Sequence, residues 1–223
     1  MVSALLAGPV ADILTHYVRD SQTDLVVMST HGRGPLHRAW LGSVADHLIR
    51  NLEVPVLLVR PRERVSAPAG PPGIGRIMVP LDGSPLAEAA LAPAAALARL
   101  LGAEVTLLQV VPPLIAGTAP LGPRLIGYHE EIIALRRIEA HDYLQGLAEG
   151  MEQEGVHAAA AAVLGPGVAE TILNVARGDR IDLLAVATRG QGGIRRLTLG
   201  SVADKLVRAA EVPVLVIRPT KVS

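Results

Sequence analysis

Two glycine clusters and one aspartate are the residues best placed to do chemistry. Thr188-Arg189-Gly190-Gln191-Gly192-Gly193 is a glycine-rich turn, and nine residues separate Gly190 from Gly200-Ser201, which opens a helical pattern. Glycine admits positive φ and lets the backbone approach a ligand closely. A helix N-terminus presents unpaired N–H groups at the positive end of its dipole, so a glycine turn facing Gly200-Ser201 can cradle a phosphate. The same residues also fit a plain helix start, with Ser201 as N-cap and Asp204 completing a variant capping box. Upstream, Asp82 follows a short apolar run and sits in Asp82-Gly83-Ser84-Pro85. Its carboxylate can accept a hydrogen bond from a ligand, or serve only as an Asp-Gly turn residue. Arg189, Arg195 and Arg196 surround the glycine turn, either to neutralise phosphate charge or as a solvated face.

These residues need a scaffold, and the surrounding pattern supplies one. Arg76–Pro80 reads as a buried strand, Leu86–Gly102 as an Ala/Leu helix bent at Pro93, and Ala103–Val111 as a second strand. Pro112–Tyr128 is rich in proline and glycine and reads as a loop. His129–Glu154 is expected to be a long helix with an apolar stripe of Ile132, Leu135, Ile138, Leu144, Leu147 and Met151. Val156–Leu164 contains five consecutive alanines, which favour helix by propensity; its place between two helices makes a third strand more consistent. Val168–Arg177 is a helix, Asp182–Thr188 a strand, Ser201–Ala210 a helix and Pro213–Arg218 a last strand. Alternating strands and helices with continuously apolar strands imply an α/β fold: a doubly wound, open, parallel five-stranded sheet of Rossmann-like type. In such sheets ligands bind at the carboxyl ends of the strands, where strand order reverses.

The chain also repeats itself at a constant offset of 158 residues. Residues 29–61 align without gaps on residues 187–219, with about 19 identities in 33 positions. Such a repeat fixes the domain count before any finer reading. The second copy is preceded by its own strands and helices, whereas fewer than 30 residues precede the first. The expected organisation is the back half of a domain at 1–61, a Pro/Gly/Ser-rich linker at 62–75, and a complete domain at 76–219.

Composition narrows the function classes. The 223 residues carry zero formal net charge and no basic tract, so nucleic acid is not an expected partner. Cysteine is absent, which excludes disulfides, thiolate metal sites and cysteine nucleophiles. No HExxH or HxxxH pattern, no Walker lysine and no GxGxxG fingerprint occur. The apolar opening Met1–Leu14 lacks a basic n-region, and the Ala/Leu run at 86–103 is interrupted by charge. A soluble cytoplasmic protein that does not engage a membrane is expected.

Gly190-x9-Gly200-Ser201, followed by VADKLVR and PVLVIRP, resembles the universal stress protein family, whose ATP-binding members carry G-x2-G-x9-G-(S/T). VPLDGS, LLQVV and VLGPGVAETI fall in the family's order, so the resemblance covers Arg76–Pro219 in full and Leu5–Pro61 as a half-domain. It implies the family's adenine nucleotide alpha hydrolase-like fold and ATP, with or without Mg²⁺, as ligand. It implies that Asp82, with Pro80, holds the adenosine end and that Val110 lines the adenine slot. Val186, Ala187, Gly190, Gly193, Gly200, Ser201 and Val202 then form the ribose and phosphate side. Ala187 stands where the family has its first motif glycine, and Ser29 does so in the first copy. The implied role is a regulatory module in stress response with at most slow hydrolysis, working through an unidentified downstream protein. The alternative is a nucleotide-free dimerisation scaffold of the same fold.

The first copy keeps Gly32, Gly34, Gly42 and Ser43 but nothing that supplies an Asp82 or Val110, so it is not expected to bind nucleotide alone. Family domains pair through their last strands, which implies Pro55–Arg60 alongside Pro213–Arg218. The apolar strand Leu25–Met28 then has an open edge, expected to be covered by a second chain in a homo-oligomer or by sequence upstream of Met1.

Overall fold

The computed structural model describes residues 3–29, 41–59, 73–113, 123–188 and 199–219, with side chains from 130 onward in the segment that starts at 123. Gly190, Gly193 and the three loop arginines lie outside the described residues, as do Gly32, Gly34 and most of the linker. The first copy forms α1 (Val10–Asp20), β1 (Val26–Ser29), α2 (Ser43–Asn51) and β2 (Val56–Val59). The second forms β3 (Arg76–Leu81), α3 (Pro85–Glu88), α4 (Leu91–Leu101), β4 (Glu104–Val111), α5 (Pro123–Gln153), β5 (Ala158–Leu164), α6 (Val168–Gly178), β6 (Leu183–Ala187), α7 (Ser201–Ala209) and β7 (Val214–Ile217).

All seven strands join one sheet in the order β1-β2-β7-β6-β3-β4-β5. The five-stranded doubly wound arrangement is therefore present as β7-β6-β3-β4-β5, and the first copy extends it by two strands. Strand alternation divides the core between two faces. Ile77, Val79 and Leu81 of β3 pack toward α4 and α5, while Met78 packs toward α6 and α7. The alanine-rich β5 is a strand because all seven of its residues pair with β4, from Val105↔Ala158 to Val111↔Leu164. Tertiary pairing overrides the helix propensity of alanine here.

Two expectations about helices are corrected. The helix expected over Leu86–Gly102 is broken into α3 and α4 at Ala89-Ala90. In an unbroken helix Pro93 would clash with the carbonyl four residues back, that of Ala89; with α4 starting at Leu91 it falls in the first turn, where proline is tolerated. Gly102 closes α4 in the left-handed conformation, φ 65°, as a C-terminal glycine should. The long helix begins at Pro123 rather than His129, with proline at its first position. Its expected stripe holds only in the C-terminal half: Ala140, Leu144, Ala148 and Met151 are buried, whereas Leu135 and Ile138 are more than half exposed. Ala140 packs on Val111 and Ala162 near the ends of β4 and β5, and Leu135 and Ile138 lie earlier along the helix, beyond those strands.

The two copies meet at the antiparallel pair β2–β7, with Val56↔Val216, Leu57↔Leu215 and Leu58↔Val214. Leu57 and Leu215 are equivalent at the offset of 158, so a pseudo-two-fold axis passes between them. Leu48, Ile49, Leu52 and Leu58 share one buried cluster with Leu206, Val207, Val214 and Val216. Ion pairs repeat the symmetry on the outside: Asp46–Arg50 at 2.7 Å on α2 and Asp204–Arg208 at 2.9 Å on α7. Arg50 is held above the usual arginine range chiefly by its bond to Asp46, and Asp204 across the seam adds a smaller attraction. Among the described residues no helix is long and apolar enough to cross a membrane.

Candidate functional site

β4 and β6 lie on opposite sides of β3, so the chain changes winding direction at β3 and opens a crevice at the carboxyl ends of the strands. A cavity of about 160 Å³ sits there. Enclosed sites for whole small molecules run to roughly 300–1,000 Å³, so this depth suits a flat ring system with the remainder of a ligand lying in the open crevice. Its floor is apolar, from Leu108 and Val110 of β4, Val186 of β6, Ile172 of α6 and Leu206 of α7. Asp82, Ser201 and the backbone at Gly200 supply its polar groups.

Eight of the ten residues singled out in the sequence line this one cavity: Pro80, Asp82, Val110, Val186, Ala187, Gly200, Ser201 and Val202. The other two, Gly190 and Gly193, lie outside the described residues. Leu86, Ala87, Leu108, Ile172 and Leu206 also line it and were missed. Leu108 was accessible from strand alternation, since a residue two positions from Val110 shares its face. Leu86 and Ala87 were hidden by the helix break, which turns α3 over the crevice.

Asp82 divides its carboxylate between two tasks. Oδ1 accepts hydrogen bonds from the Ser84 N–H at 3.0 Å and the Ser84 hydroxyl at 2.5 Å. Ser84 Oγ in turn accepts from the Ala87 N–H at 3.2 Å and caps α3. The turn role is thus real, and it fixes the side chain. Oδ2 makes no hydrogen bond among the described residues, and Asp82 is an exposed residue that lines the cavity.

The plain helix-cap reading of Ser201 is corrected. Gly200 is the N-cap, in extended backbone without a side-chain cap bond, and Ser201 is the first helical residue. Asp204 completes no capping box; both of its oxygens accept from Arg208 Nε at 2.9 Å. Among the described residues no side chain caps the first N–H groups of α7 beside the crevice, an arrangement that favours an anion. Ala187 ends β6 at negative φ, paired with Ile217, so the methyl group at this position causes no backbone strain. Gly165, in the turn after β5, has no such freedom. A Cβ there would collide with the Thr171 side chain, which explains glycine in the VLGPG stretch.

One supporting contact lies behind the site. The Tyr143 hydroxyl of α5 donates to Glu88 Oε1 of α3 at 2.8 Å. Burial first, then this bond and the charges of Glu88 and Asp82, push the phenol well above its ordinary range, so it remains a donor at neutral pH. Tyr143→Phe is expected to lower the melting temperature by about 2–4 °C, the equivalent of roughly 1 kcal/mol for a half-exposed bond to a carboxylate. Thermal unfolding checks this. Among the described residues no group of three or more His, Asp or Glu side chains is placed to hold a metal ion.

The profile of the universal stress protein family matches residues 2–60 and again 73–218. A universal stress protein of Thermus aquaticus is 35% identical over 144 residues, covering 64% of this chain and 97% of that protein. One from Mycolicibacterium smegmatis is 26% identical over 212 residues, covering 87% of this chain. The chain spans 62% of the length of that mycobacterial relative. Among solved structures, a universal stress protein from Archaeoglobus fulgidus superimposes with a TM-score of 0.62 at 20% identity, covering 92% of this chain and 66% of that one. One from Lactobacillus plantarum gives a TM-score of 0.55 at 26% identity, covering 65% and 98% respectively.

Proposed function

Because the chain belongs to the universal stress protein family, we propose that its second copy is an adenine-nucleotide-binding regulatory module, taking ATP with or without Mg²⁺. One observation carries the reading: residues that the family resemblance marks, from Pro80 to Val202 and more than a hundred positions apart at the extremes, line a single crevice at the switch point. The apolar floor suits a base, Asp82 Oδ2 suits a hydroxyl or amino hydrogen, and the start of α7 suits phosphate. The domain division that goes with this is 1–61 for a half-domain, 62–75 for the linker and 76–219 for the complete domain. The half-domain acts as the built-in partner of the complete one at the β2–β7 seam and binds no nucleotide itself. The working compartment in this reading is the cytoplasm, and the signal is passed to another protein.

A nucleotide-free scaffold is the second reading, favoured by Ala187 in place of the family's first motif glycine. Calorimetric titration with ATP and Mg²⁺ separates the two. The module predicts saturable binding that Asp82→Ala weakens roughly tenfold, the effect of losing one hydrogen bond to a charged group. A well-folded chain that takes up no nucleotide at millimolar concentration leaves the scaffold standing.

A further inference from the structure

Two of the crevice residues, Leu86 and Ala87, belong to α3, a helix with little of its own to hold it in place. One turn of helix is not stable alone, because nucleation costs more than a single turn returns. None of its four residues is buried. Leu86 is half-buried but packs into none of the buried clusters among the described residues, so the crevice is the apolar surface it meets.

Hydrogen bonds at its two ends therefore set where α3 stands. At the start, Asp82 holds Ser84, and the Ser84 hydroxyl and carbonyl oxygens accept the Ala87 N–H. At the other end Glu88 Oε1 accepts the Tyr143 hydroxyl at 2.8 Å. Among the described residues Glu88 has no other side-chain partner. Tyr143 is a fixed point on α5: its neighbour Leu144 is 0% exposed, and Tyr143 itself packs against the buried cluster that Leu144 belongs to. α5 in turn lies on β4, whose other face carries Leu108 and Val110 of the crevice floor. One hydrogen bond thus ties a wall of the crevice, through a long helix, to the strand that forms its floor. The charges of Glu88 and Asp82 both act on the phenol, so its hydroxyl also stands near the carboxylate that lines the cavity.

We propose that Tyr143 and Glu88 are positioning residues of the crevice: their hydrogen bond holds Leu86 and Ala87 at the spacing from Val110 and Ile172 that grips the flat base of an adenine nucleotide. The proposal rests on the crevice being the nucleotide site. Without the bond α3 leaves that position part of the time, and affinity falls with the fraction of molecules that still hold it.

The test is calorimetric titration of the full chain with ATP and Mg²⁺, with melting temperatures alongside, on Tyr143→Phe, Glu88→Ala, Glu88→Gln and the double variant Tyr143→Phe/Glu88→Ala. Tyr143→Phe and Glu88→Ala are each expected to raise the dissociation constant roughly fivefold. The double variant is expected to lose no more than either alone, since both changes remove one bond. Glu88→Gln keeps a carbonyl oxygen for the phenol and is expected to bind within about twofold of the unaltered chain. A melting temperature that falls while affinity stays constant makes the bond structural only and overturns the proposal. Additive losses in the double variant overturn it too, as does a Glu88→Gln chain as weak as Glu88→Ala. Where Glu88→Ala does not fold, Tyr143→Phe, which removes a single oxygen, decides alone. No uptake by the folded, unaltered chain overturns the nucleotide reading and the proposal with it. Uptake that Tyr143→Phe leaves unchanged overturns the proposal alone.

Discussion

If the crevice takes adenine nucleotide as proposed, a chain carrying Gly200→Val is expected to keep its fold and lose affinity by on the order of a hundredfold, about 3 kcal/mol. Gly200 caps α7 from extended backbone and lines the crevice beside Ser201. A phosphate bound there must reach the first N–H groups of the helix, and a branched side chain at the cap fills that approach. The cost to the fold is small by comparison. Val at an N-cap is worse than Gly by about 1 kcal/mol or less, because Gly contributes no side-chain bond to lose. Affinity and stability should thus separate: titration falls by two orders of magnitude while the melting temperature moves by only a few degrees. Equal losses in both would mean that Gly200 serves the helix and not a ligand.

Removal of residues 1–61 is the second large effect. It strips β2 from β7 and uncovers Leu206, Val207 and Val216, each 3% exposed or less in the whole chain. Each large apolar side chain returned to water forfeits about 1.5–3 kcal/mol. A few such losses are comparable to the entire margin of about 5–15 kcal/mol that holds a domain folded. The bare edge of β7 also becomes a template for another strand. The shortened chain should therefore run at twice its monomer mass, or precipitate, in light scattering across a concentration series. A stable monomer at all concentrations would show that the seam contributes little.

Much of this was legible in the residues, for identifiable reasons. Continuous apolar runs such as Leu183–Ala187 and Val214–Ile217 fit strands buried on both faces, and β7 is such a strand, parallel to β6 on one side and antiparallel to β2 on the other. The 158-residue offset revealed two copies before any coordinates. The break at Ala89-Ala90 was not legible, because it depends on which carbonyl Pro93 meets. Leu135 and Ile138 keep helical spacing yet face water, since periodicity cannot tell where a sheet stops. Ser201 looked like a cap and is not one; a single residue of backbone geometry decided that. The Tyr143–Glu88 bond joins residues 55 positions apart and leaves no local pattern to read.

The axis between Leu57 and Leu215 has a numerical consequence. Two separate domains that met along such a seam would find each other at a rate set by their concentration, and would bring two crevices. Here both halves of the seam are on one polypeptide, so dilution does not part them. Among the described residues only the second copy has the strands that build a crevice. Occupancy should follow a simple hyperbola with one nucleotide per chain, with no second equal site to make it sigmoidal.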